Sequence, residues 1–241
     1  VSGYTKVTIK RFDYCIMSNL AIPFNIAILF VNEQTTALLK PVRTLDIFEG
    51  STKNFHEDGL FSQSIFGRIG SDRRNRAFSY IDIKINIFHP LVYKAFVEIK
   101  RLYGDIMSSK EYATWDEQTS DFVKASPQVG ETGYHFFIQH WNKIKFGEPT
   151  SDKRARNMEL IEKYKKEALT SKIIVIPAGL RDFEITADGR ESEDEFNDFY
   201  RQFIKISNTI QSAQLTKDNI QHFNLPRMSL QTQFNKLYDH I

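Results

Sequence analysis

A single cysteine, Cys15, stands in a chain of 241 residues. Its solitude excludes an intramolecular disulfide and any cysteine-built zinc site, and it suits a reducing cytoplasm, where such a thiol serves as a small buried hydrophobe. Long apolar runs are also missing. The longest, over 21–31, is broken by Pro23 and Asn25 and falls short of the roughly 20 residues that a membrane span needs. It sits too deep in the chain, without a basic flank or a cleavage pattern, to read as a signal peptide. Charge of one sign is lacking too: 32 Lys and Arg against 30 Asp and Glu leave a net charge of +2, so any contact with nucleic acid has to be local. There is no glycine loop for nucleotide phosphates and no nucleophile elbow. The histidines form no metal-ligand spacing, since His135 and His140 are poorly aligned for one helix face. These gaps count against an independent enzyme.

What is present is globular: 41% hydrophobic and 26% charged residues, enough for one good core plus a peripheral element, or for two small cores. Residues 6–10 alternate and 26–31 form an apolar run of strand length, so the start reads as buried β structure. Residues 49–59 are rich in Gly, Asn and Asp and form a loop. Over 78–87 apolar and polar residues alternate, which predicts a half-buried strand. After Pro90, apolar positions from Leu91 to Leu102 recur at three- and four-residue spacing, predicting a helix closed by Gly104. Residues 152–169 predict a mostly solvated helix, and Lys172 to Pro177 a buried strand. From Ser192, a fair N-cap followed by Glu193, Asp194 and Glu195, a helix with apolar Phe196, Phe199, Phe203 and Ile210 on one face extends to 214. A second helix follows Pro226, and the polar connection 216–224 makes the two an antiparallel hairpin. The elements alone read as an α+β fold with a C-terminal antiparallel helical hairpin.

Three segments in fixed order carry more. Asp58-Gly-Leu-Phe-Ser-Gln-Ser-Ile-Phe-Gly67 resembles the Gly-Leu-Phe-x-x-x-Ile-Phe-Gly signature near the start of the beta-prime subunit of bacterial multisubunit RNA polymerase. Ile173-Ile-Val-Ile-Pro-Ala-Gly-Leu-Arg-Asp182, followed by Asp188-Gly-Arg190, is similar to that family's Leu-Pro-Val-Leu-Pro-Pro-Asp-Leu-Arg-Pro strand and turn. Ser192-Glu-Asp-Glu-Phe-Asn-Asp-Phe-Tyr-Arg201 looks like the Ser-Asp-Leu-Asn-Asp-Leu-Tyr-Arg that opens the clamp helices, and 230–241 resembles the end of the second clamp helix. The resemblance spans about 55–241, in patches.

It implies a clamp base and head of mixed small sheets over 1–191, with a zipper-like loop at 43–58 and a lid-like loop at 183–191, and the clamp helical hairpin over 192–241. It implies DNA and RNA–DNA hybrid as ligands, with beta-like and remaining beta-prime chains and a sigma-like initiation factor as partners, and no membrane. The nucleotidyltransferase chemistry of a DNA-directed RNA polymerase belongs to magnesium held by an Asn-Ala-Asp-Phe-Asp-Gly-Asp loop, which this sequence lacks. The chain alone is therefore expected to be non-catalytic and to hold no cofactor, with magnesium expected in the assembled enzyme.

Nucleic-acid contacts implied by position are Lys53 and His56 in the zipper-like loop and Arg181 and Arg190 at the lid-like loop, where a guanidinium fork suits phosphate; a solvated surface arginine is the alternative. The family's four-cysteine zinc ribbon is replaced here by a short polar turn, so no zinc is expected. That turn carries Arg68, Arg73, Arg74 and Arg76, which read either as a DNA-backbone contact or as a charged loop closing the gap left by the ribbon. Initiation-factor contacts are assigned to Tyr200, Arg201, Lys205 and Asn208. The stretch 205–211 has only Lys205 as a charge, so a dedicated factor is expected rather than a housekeeping sigma. Loss of the ribbon, the altered hairpin and the richness in Phe, Ile and Asn resemble polymerases of large bacterial viruses, whose beta and beta-prime are often split. The implied place of work is the host cytoplasm or the virion. The competing reading is a free-standing clamp-like regulator that captures a sigma-type factor or docks on a host polymerase.

Overall fold

The computed structural model describes residues 36–37, 39–185, 191–216 and 218–240. The strands expected over 6–10 and 26–31, Cys15 and Arg190 lie outside them. In chain order the elements are α1 (Gln63–Phe66), β1 (Ser79–Phe88), α2 (Pro90–Ile99), α3 (Arg101–Met107), β2 (Tyr112–Asp116), β3 (Asp121–Ala125), α4 (Tyr134–Trp141), α5 (Asp152–Tyr164), β4 (Leu169–Val175), β5 (Phe183–Ile185), β6 (Glu191–Glu193), α6 (Phe196–Ser212) and α7 (Asn224–His240). Among the described residues the strands pair two by two, β1 with β4, β2 with β3 and β5 with β6. The fold is α+β, as the alternation and helical periodicities predict.

The chain forms two compact units that interleave along the sequence. The first gathers residues 1–85, 170–209 and 236–241, and the second 86–169 and 210–235.

In the first unit, Ile81, Ile83 and Ile85 are buried and Lys84 is exposed, as period two requires. Lys84 nevertheless has φ +63°, held there by Asp82, whose carboxylate accepts from the Lys84 N–H at 3.0 Å and from its Nζ at 2.8 Å. The residues of β4 buried in this unit, Ile173, Ile174 and Val175, continue into buried Ile176. Ser192, the expected N-cap, belongs instead to β6 opposite Glu184. The helix starts at Phe196, because Asp194 Oδ1 accepts the Phe196 N–H at 2.9 Å and the Asp194 carbonyl accepts the Asn197 N–H at 3.0 Å. The start of α6 meets the end of α7 through Phe196 and His240, whose rings lie 4.9 Å apart, which is the antiparallel arrangement.

In the second unit the helix expected from 91 to 102 is two helices. Lys100 is extended (φ −151°, ψ 107°) and separates α2 from α3. Its ammonium explains the break: Nζ donates to Asp121 Oδ2 at 2.6 Å and to the Phe122 carbonyl at 2.5 Å, while Tyr103 Oη donates to Asp121 Oδ1 at 2.7 Å. Gly104 does not close a helix but lies within α3, where a Cβ would stand 3.3 Å from Val97. Its missing side chain lets α3 fold back against α2.

The core of this unit is aromatic. Phe88 stands edge-on to Phe96, Phe137 and Trp141 at 4.9, 5.8 and 4.8 Å between centroids, and Phe122 stacks on Phe137 at 5.4 Å. Such pairs add about 0.5–1.5 kcal/mol each beyond burial. Gln231 of α7 closes the end of β1 as a neighbouring strand would: Oε1 accepts the Phe88 N–H at 2.8 Å and Nε2 donates to the Phe88 carbonyl at 3.0 Å. Ser151 caps α5 by accepting the Arg154 N–H at 3.2 Å. Ile161 is the buried residue of this mostly solvated helix.

His89 caps α2 with Nδ1 while fully buried, and burial lowers its pKa to about 3. Below the unfolded-state value of ~6.5 the unfolded chain binds a proton that the folded one refuses, so stability is full above that value and lost as pH falls towards about 3. The expected slope is about 1.4 kcal/mol per pH unit. Both tryptophans lie in this unit, so urea midpoints followed by their fluorescence between pH 7 and 4 measure it. His89→Asn, which retains an N-cap acceptor, should flatten the profile; an unchanged profile would refute the assignment.

Candidate functional site

The three segments singled out in the sequence meet in the first unit at one side chain. Arg181 is the penultimate residue of the Ile173–Asp182 segment and is 1% exposed. Its Nη2 donates to the Leu60 carbonyl at 2.8 Å, in the first segment. Nε donates to the Ile176 carbonyl at 3.1 Å, in the second, and Nη1 to Asn197 Oδ1 at 2.8 Å, in the third. Asn197 returns the contact, Nδ2 donating to the Arg181 carbonyl at 3.0 Å. The guanidinium lies over Phe66 at 4.9 Å and Tyr200 at 5.4 Å, where the ring faces favour a cation. Burial lowers its pKa to about 10, and it remains charged at neutral pH.

Arg181 is thus not a surface arginine, and the phosphate contact expected of it is corrected: its donors are spent inside the protein. The same correction applies to Arg74. At 1% exposure it donates from Nε and Nη2 to the two oxygens of Asp182 at 3.0 and 2.7 Å, and from Nη1 to the carbonyls of Phe61 and Gly67. Partial burial opposes the charge of Asp182, but the Arg74 pair and the Phe183 N–H outweigh it and hold the carboxyl below its ordinary range. Tyr200 is also buried, its Oη accepting the Ile176 N–H at 3.2 Å, and cannot meet a partner.

Other expected contacts lie at the surface. Arg68, Arg73 and Arg76 are exposed on the turn around the 3-10 helix Asp72–Asn75, beside Ile69, with one Arg73 N–H directed to the Ile65 carbonyl at 3.2 Å. Lys205 and Asn208 are exposed on α6, whereas Arg201 is engaged by Glu193 at 2.5 Å and Asp198 at 3.4 Å. Lys53 is exposed, at the tip of a hairpin closed by the antiparallel bridge of Phe48 and Phe55. His56 is half-buried, and its Nδ1 accepts the Asp58 N–H at 3.1 Å. It lines an open cleft of about 460 Å³ with Asp46, Glu49 and Glu57, an acidic setting that repels phosphate. The lid-like segment has a stem of β5 and β6, antiparallel from Phe183 opposite Glu193 to Ile185 opposite Glu191.

Phe183 ties the two loop stems together: its ring is 5.8 Å from Phe48, 6.2 Å from Phe55 and 5.5 Å from Phe61. Sequence reasoning missed this cluster, and it missed Asp182, Asn197 and Gly179. A polar pair following a continuous apolar strand, Arg181-Asp182, was the available signal, because charge at the end of a buried strand needs a partner. Among the described residues no group of three His, Cys, Asp or Glu is placed to hold a metal ion, and no helix is long and apolar enough to cross a membrane. No protein-family model and no curated protein matches the sequence.

Arg181→Met should cost about 3–5 kcal/mol in urea unfolding, since it strands buried acceptors in three segments. Arg181→Lys should recover little of this, because an ammonium cannot present the planar fork. Full recovery by lysine would show that charge alone, not the fork, holds the segments.

Proposed function

We propose that this chain is the clamp portion of a beta-prime-like subunit of a divergent, viral type of multisubunit RNA polymerase, holding DNA and RNA–DNA hybrid and docking a dedicated initiation factor. The observation that carries the reading is the convergence on Arg181. Three segments resembling one family in sequence order, 58–67, 173–182 and 192–201, contribute the Leu60 carbonyl, the Ile176 carbonyl and Asn197 to a single buried guanidinium. Unrelated matches would have no reason to share a partner.

The division of labour follows from the side chains. Arg181, Arg74 and Tyr200 build the frame. Exposed Arg68, Arg73 and Arg76 are the donors for phosphate, whose neutralisation releases counterions. Lys205 and Asn208 present a nearly uncharged helix face, suited to a partner helix held by apolar and polar contacts rather than by salt bridges. The loops implied to flank the hybrid have stems seated on one phenylalanine cluster around Phe183. Bond formation is left to magnesium-binding residues absent from this sequence.

The test is purification and reconstitution. A tagged chain should come down in equal amount with the other polymerase chains and, alone, incorporate no nucleotide on a primed template with magnesium. In the assembled enzyme, K205E/N208A should lower promoter-dependent transcription about tenfold, the scale of losing an interface hot spot, and leave elongation from a preformed bubble unchanged. Capture of a sigma-type factor without polymerase chains would favour the free-standing regulator. Unaltered promoter-dependent initiation by the double variant would remove the docking role.

A further inference from the structure

The arginine-bearing turn of the first unit is not a free loop. Arg74 enters the protein between its exposed neighbours Arg73 and Arg76, and its two-pronged pair with Asp182 fastens the turn to the segment that opens β5. The backbone winds tightly on either side of it: Arg74 N–H donates to the Ser71 carbonyl at 2.9 Å, and the N–H groups of Arg76 and Ala77 both donate to the Arg73 carbonyl, at 3.0 and 2.8 Å. Behind the turn, Gly179 supplies the space it needs, since a Cβ there would stand 1.9 Å from Asn75 Oδ1. Gly67, at φ +98°, starts the turn in the left-handed region.

From this geometry we propose that Asp182, a carboxylate, is a positioning residue for a cationic phosphate-binding surface made by Arg68, Arg73 and Arg76. The proposal rests on the nucleic-acid reading above and deepens it, because it names how an acidic residue serves that surface. Asp182 cannot touch the ligand's phosphates favourably. It acts through Arg74, which in turn fixes the backbone from which Arg73 and Arg76 project. The surface carries one exposed acid of its own, Asp72, so three guanidinium groups meet one carboxylate, and their spacing rather than their sum of charge decides how many phosphates they reach at once.

Position and field predict opposite signs. Removing a negative charge next to a basic surface strengthens the attraction for phosphate if only the field matters. If Asp182 positions the turn, its removal weakens binding. The experiment uses the full 241-residue chain and a labelled short RNA–DNA hybrid, with anisotropy measured across a salt series and hydrogen exchange followed by mass spectrometry. For D182N the expected result is about tenfold weaker binding with a shallower salt dependence, each lost phosphate contact lowering the slope by about 0.9. Amides of 71–77 should exchange faster while those of 134–141 keep their protection, and D182E should restore both readouts. R68A/R73A/R76A should lose binding without faster exchange at 178–182. Unchanged exchange over 71–77 in D182N, or hybrid binding equal to or tighter than that of the parent, overturns the positioning role. A parent chain that binds no hybrid at any salt overturns the nucleic-acid reading and the proposal with it, whatever the exchange shows.

Discussion

A guanidinium buried without a carboxylate of its own imposes the constraint on which the first unit depends. The desolvation of such a cation is tolerable only if each guanidinium nitrogen finds an acceptor in the right plane. Arg181 meets that demand by taking acceptors from three parts of the chain far apart in sequence, two backbone carbonyls and one side-chain amide. Because the fork is planar and rigid, it fixes the relative placement of those parts as well as their proximity. The second guanidinium, Arg74, repels the first, and Asp182 resolves the conflict by accepting two donors from Arg74 while standing one residue beyond Arg181. Two internal arginines and one shared acid thus connect the turn at 68–76, the end of β4 and the beginning of α6.

The second unit solves a different problem, that of ending a strand without leaving it unpaired. At Phe88 the backbone still needs a donor and an acceptor, and the primary amide of Gln231 supplies both. Around that point the ring edges and faces of Phe88, Phe96, Phe137 and Trp141 fill the space that aliphatic side chains would fill in an ordinary core. Lys100, at the junction of α2 and α3, exchanges helical continuity for two strong hydrogen bonds to the hairpin of β2 and β3.

Where the sequence was legible, the reason was periodicity or order. The isoleucines at 81, 83, 85 and 87 alternate because one face of β1 is buried, and the stripe of α6 lies at helical spacing with Phe203, Ile204 and Ile210 buried. The break at Lys100 was not legible, since it comes from a partner at Asp121 that no local pattern contains. Gly104 misled because a glycine that permits close approach and one that ends a helix look alike in a sequence. Ser192 misled because the true cap, Asp194, lies two residues further on within the same acidic run. Residues 134–141 do carry a helical spacing, with Tyr134, Phe137 and Trp141 at i, i+3 and i+7 and all buried, but over eight residues such a pattern is too short to stand out. Among the site residues, charge type was legible but location was not: Arg73 and Arg74 are adjacent and identical, one exposed and the other buried.

On the proposed nucleic-acid reading, that last pair sets the limit on where a phosphate backbone would approach the first unit. The chain is nearly neutral overall, and its acids are not spread evenly. Glu49, Asp46 and Glu57 line the cleft beside His56, and Glu193, Asp194, Glu195 and Asp198 are exposed at the start of α6 with Arg201 partly neutralising them. Both regions present the wrong sign to a phosphate backbone. The turn at 68–76 presents the right one, and its fourth arginine, withdrawn into the protein, anchors it. If all four were exposed, the turn would have more charge but no anchor, and a flexible cluster loses in ordering entropy what it gains in attraction. Withdrawing Arg74 lowers the surface charge by one and fixes the remaining three, which suits the proposed role of contacts that position a duplex rather than merely attract it.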